Sequence, residues 1–77
     1  MDMELTLIHM TQDFEENAEE YEVAASNERL WAKGAPDNET AQMHEENAEH
    51  CMMMAQMYRR MAKHAEDIFN KYVEGEV

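Results

Sequence analysis

The chain has 77 residues, with six Lys plus Arg against eighteen Asp plus Glu and a formal charge of -12. A chain this short forms one domain and buries only about 60% of the surface its unfolded form exposes, so self-association is the usual remedy for a thin core. The acidic balance opposes direct contact with nucleic acid or an anionic membrane, because phosphate contacts are built from cations. A single Cys, no secretory-type leader and no apolar run of membrane length give a reducing cytoplasm as the default location.

In chain order, "MELTLIHM" has strand-like composition, yet Leu7 is in phase with the heptad ladder downstream, so it reads as the frayed start of a first helix at about residues 3–33. Residues 1–22 hold eight acids and no Lys or Arg. Within this helix Thr11, Ala18, Ala25 and Ala32 recur every seventh residue, accompanied by Leu7, Phe14 and Tyr21, and alternating spacings of three and four make a coiled-coil seam. "KGAPDNE", residues 33–39, then supplies the stop. Gly34 suits a left-handed residue after a helix, Pro36 prevents simple continuation, and Asp37 or Asn38 can cap the next helix.

The turn, residues 34–37, leads to a second helix at about 38–72. Its ladder is Ala41, Ala48, Ala55, Ala62 and Phe69, with His44, Cys51, Tyr58, Ala65 and Tyr72 at the companion position. "VEGEV", residues 73–77, reads as a loose tail. The expectation is an all-α fold: an antiparallel two-helix hairpin with an alanine-rich seam, dimerising into a four-helix bundle. Folding at the turn pairs Ala32 with Ala41, Ala25 with Ala48, Ala18 with Ala55 and Thr11 with Ala62. That register sets Asp13 beside Arg60 and Phe14 beside Arg59, and concentrates acid toward the turn.

"EHCMMMAQMYRRMAKH", residues 49–64, gathers methionines, two histidines and the cysteine. Met54, Met57 and Met61 share a helical face with His50, and thioether with imidazole suits copper(I), so His50, Met54, Met57 and Met61 are the metal alternative. Against it, the stripe runs along roughly three turns of helix rather than converging on a point. A zinc shared by His9 and His64 is weaker still, since both lie off the seam, and the Glu-x-x-His motif of di-iron bundles is absent. Seam and flank together make an apolar arc of roughly 160° on helix 2, wider than one partner helix needs. Met54, Met57, Met61 and Ile68, with Asn17 and Asn47 fixing register, are therefore the expected homodimer interface.

Near the turn Val23 and Leu30 point away from the seam, with Trp31 on its flank. Together with Glu19, Glu20, Glu22, Glu28, Glu45, Glu46 and Glu49 they form the candidate partner surface, an acidic rim around an apolar anchor. Alternatively, Trp31 closes the hairpin tip over Ala35 or Met43.

No phosphate-cradling glycine loop or nucleophile constellation is present, and Cys51 falls on the seam, so catalysis is not expected and no cofactor is implied. The composition points to a non-enzymatic protein that binds another macromolecule. The leading expectation is an inhibitor or modulator of a protein with a basic or nucleic-acid-binding surface, in the style of the anti-CRISPR or anti-restriction proteins of phage and mobile elements. The alternatives are a copper-binding protein and a structural adaptor subunit using a Met/Trp surface.

Overall fold

The computed structural model describes residues 2–75 and shows two long helices, α1 (Met3–Lys33) and α2 (Asn38–Glu74), packed against each other. No strand occurs among the described residues. The molecule is a rod of 57 × 17 × 14 Å. No described helix is long and apolar enough to cross a membrane.

Local chemistry sets each boundary. Asp2, in an extended conformation, accepts a 2.9 Å hydrogen bond from the Glu4 N–H and so satisfies one of the free amides at the start of α1. The strand-like opening is therefore helical from Met3 onward. Asp37 does the same for α2, accepting from the Thr40 N–H at 2.7 Å. This bond holds its carboxyl below the ordinary Asp value, because it favours the ionised form.

Gly34 is not left-handed: its φ is -93° and ψ 4°, and its N–H extends the last turn by bonding the Leu30 carbonyl at 3.2 Å. The chain bends instead at Pro36 and Asp37, and Pro36 disfavours helix in the residue before it. The left-handed glycine is Gly75, with φ 78°, at the end of α2. With that cap α2 runs through Val73 and Glu74, which were expected in a loose tail; residues 76–77 lie outside the described part.

The core is narrow. Its buried members are Leu7, Ala18, Ala25 and Ala32 from α1 and Ala48, Ala55, Ala62 and Ala65 from α2. Seven of these eight are alanine, so the helices approach closely while little apolar area leaves water. Among the described residues no large side chain is fully buried.

The register differs from Ala-on-Ala. Tyr58 lies between Phe14 and Tyr21, with ring centroids 6.2 and 5.8 Å away, which puts it level with Ala18. Arg59 accordingly reaches Glu22 rather than lying beside Phe14, and Arg60 lines the same groove instead of facing Asp13. Relative to the expected pairing the helices are displaced by about half a heptad. Volume explains this: an alanine facing an alanine leaves space, whereas an alanine facing a tyrosine fills it.

Candidate interaction surfaces

The displaced seam gives the rod two unlike sides. On one side, residues following the larger seam positions meet across the groove: Ile8, Glu15, Glu22 and Arg29 of α1 and Glu45, Met52, Arg59 and Glu66 of α2. The Arg59 guanidinium donates to the Glu22 carboxylate here. That bond, with Glu19 and Glu15 nearby, raises the guanidinium's pKa further. Toward the turn, Arg29 and Lys33 line a groove with Glu45 and Glu49 over Ala32 and Ala48. The acid expected to dominate the turn is thus partly balanced by two cations of α1.

On the other side, residues preceding the alanines flank the seam: Met10, Asn17, Ala24 and Trp31 of α1 beside Asn47, Met54, Met61 and Ile68 of α2. Met43, His50, Met57 and His64 continue this face outward on α2. Met54, Ile68 and Asn17 are half-buried against the opposing helix, Asn47 is exposed, and Met57 and Met61 are each 38% exposed. Met43 is also exposed. The hairpin therefore holds a continuous methionine-rich face that its own two helices do not cover.

Glu28 and His44 form a polar pair in the seam. Nδ1 of His44 lies 2.6 Å from Oε2 of Glu28, and the two side chains are only 21% and 17% exposed. Glu28, expected on the outer acidic rim, is turned inward because it occupies the heptad step after Leu7, Phe14 and Tyr21. A polar pair in an otherwise apolar seam fixes which residues face each other. Trp31 packs at 60° to the His44 ring, centroids 5.8 Å apart, and stays 56% exposed. Its aromatic neighbour is thus a seam residue. Cys51 is a free thiol, half-buried rather than buried.

The remaining candidate residues divide by surface. Glu19 and Glu20 share a shallow depression with Glu16 around Val23 on the outside of α1, and Leu30 lies one heptad further along the same row. Val23 and Leu30 are the boldest apolar groups of α1, 60% and 63% exposed. Glu46 lies instead on the outside of α2, where Gln42 donates to it at 3.3 Å. Glu22, Glu45 and Glu49 thus line the grooves, Glu28 belongs to the seam, and Glu16, absent from the residues expected at this surface, joins Glu19 and Glu20. Its signal was present in the sequence: Glu16 precedes Val23 by one heptad and Glu20 by one turn.

Among the described residues, no three His, Cys, Asp or Glu side chains converge as a metal site. His50, Met54, Met57 and Met61 all stand on α2 and extend along its axis. Comparison with protein-family models, curated proteins and solved structures gave no match to this chain.

Proposed function

We propose that the protein is a non-catalytic binding module that dimerises through its methionine-rich face into a four-helix bundle and uses the acidic outer face of α1 to engage a basic surface on another protein. The observation that carries this reading is the contrast between core and surface. The buried core is almost entirely alanine, while Trp31, Met43, Met57, Met61, Val23 and Leu30 are exposed. Such a hairpin has its apolar area in the wrong place for a stable monomer and in the right place for association.

The methionine face and the α1 ridge suit different partners. The first is broad, flat and continuous, as a bundle seam requires. The second is a narrow row in which Glu16, Glu19 and Glu20 surround Val23, matching a cationic surface with one apolar recess. A nucleic-acid-binding protein offers such a surface, so an inhibitor that occupies it is the reading we favour within this class. The chain's excess of acid also speeds encounter with a cationic target.

Affinity capture from the source cell or its host, followed by binding measurements on the isolated target, tests this. Binding should weaken as salt rises from about 0.05 to about 0.5 M, because exposed charges are screened within about 10 Å at 0.1 M. It should also fall on Glu16→Lys with Glu19→Lys. Binding that ignores salt and charge reversal but disappears with Trp31→Ala would overturn the acidic-ridge reading in favour of an apolar adaptor.

A further inference from the structure

We infer that the occupant of the methionine-rich face is a second copy of this chain, related by a two-fold axis parallel to the rod, so that α1 of each protomer lies antiparallel on α2 of the other and both turns sit at one end. This rests on the self-association proposed above and specifies its geometry.

The argument starts from how charge is distributed across that face. Its α1 edge is the row Thr6, Asp13, Glu20 and Asn27; its α2 edge is Met43, His50, Met57, His64 and Lys71. One edge is acidic and carries no cation. The other carries no acid and includes Lys71; in the neighbouring rows Arg60 is matched by Asp67, which already holds Lys63 at 3.2 Å. A face that is acidic on one edge and imidazole- and ammonium-bearing on the other complements itself only when the edges are exchanged. An axis along the rod exchanges them. An axis across the rod lays α1 on its own copy and brings the acidic Asp13–Glu20 segment against itself, where like charges oppose pairing.

The hairpin's own register then fixes the facing residues. Because Tyr58 is level with Ala18, residues whose numbers add to about 76 stand at one height along the rod, an axis parallel to the rod preserves height, and edge residues whose numbers add to 77 face each other to within about one residue. Asp13 therefore meets the copy's His64, Thr6 meets Lys71, Asn27 meets His50 and Glu20 meets Met57. In the inner rows Ala24 falls on Met54 and Asn17 near Met61, so a small or short side chain receives each of these methionines. The face runs the full 57 Å length of the rod, as a bundle seam between two hairpins requires. The dimer then presents Glu16, Glu19 and Val23 of each α1 on opposite edges, with Glu20 at the border of the interface, and binds two target molecules related by the same axis.

Cysteine cross-linking reads the orientation directly. In a Cys51→Ala background, the variant Asp13→Cys/His64→Cys should form a disulfide-linked dimer on mild oxidation, while either single substitution should not. Asp13 and His64 stand on opposite outer edges of one hairpin's face, so the bond cannot close within a protomer. Both positions are exposed, and helical content by circular dichroism checks folding. Glu20→Cys alone reports the opposite case, since an axis across the rod brings this residue near its own copy. Light scattering before oxidation separates the two layers of the claim. A dimeric mass with no Asp13→Cys/His64→Cys cross-link overturns the orientation, most directly if Glu20→Cys alone cross-links; a monomeric mass overturns self-association as well.

Discussion

Ala18→Leu probes the seam where its geometry is tightest. Ala18 has no exposed surface and lies level with Tyr58, whose ring is held between Phe14 and Tyr21. Leucine adds three carbons in the space the Tyr58 ring already fills, so either the ring leaves its position or the helices separate. Overpacking of this kind costs about 1–3 kcal/mol. For a domain of this size each kcal/mol shifts Tm by roughly 4–8 °C, so the expected fall is about 5–20 °C. The assay is thermal unfolding by circular dichroism at one fixed protein concentration, because a self-associating protein has a concentration-dependent Tm. Ser26→Leu, on the exposed outside of α1, is the control and should move stability by no more than about 0.5 kcal/mol. If Ala18→Leu leaves Tm unchanged or raises it, the space opposite Ala18 is empty. The Ala-on-Ala register would then replace the displaced one.

The caps and the seam pair carry further expectations. Glu28→Ala should destabilise by about 1–2 kcal/mol, since it leaves a half-buried His44 without its carboxylate, and adding His44→Ala should cost little more; equal and additive losses in a double-mutant cycle would dismiss the pair as a coupled unit. Gly34→Ala should be neutral or stabilise by about 0.4–1 kcal/mol, because Gly34 has negative φ and an added Cβ would come no closer than 3.9 Å, to the Leu30 carbonyl oxygen; a clear loss of stability would show that the turn needs glycine after all. Asp37, whose folded pKa is depressed, contributes stability that is fully present above the ordinary Asp value of about 3.9 and is lost as pH falls through its folded value. Acid unfolding of Asp37→Asn should therefore lack that contribution, and an acid transition identical to the parent's would remove the cap from the account.

The two helices and the turn were legible because their signals are local. Alanine every seventh residue, Gly34 and Pro36 near the middle, and capping aspartates depend on no distant partner. The pairing between helices was not legible in the same way. Counting alanines favoured an alignment in which they face each other, because that alignment matches the two seven-residue ladders at every step. Only the volumes of Phe14, Tyr21 and Tyr58 choose the displaced one instead, and volume is read by packing rather than by spacing. The same displacement decides the surfaces. It brings Glu22 to Arg59, while Glu28 is drawn to His44 by its seam position; both leave the outer acid, and Glu16, Glu19 and Glu20 remain around Val23. The methionine flank was visible from α2 alone; that Met10, Ala24 and Trp31 continue it on α1 depends on the antiparallel pairing.

The most direct test of the central claim, that the methionine face is covered by a second copy, is mass in solution. Light scattering of the parent should give twice the 9.1 kDa of one chain, and Met54→Glu with Met61→Glu should return 9.1 kDa while both helices persist by circular dichroism at low temperature. A parent that scatters as a single chain across micromolar concentrations, or a doubly substituted variant that remains dimeric, would contradict it.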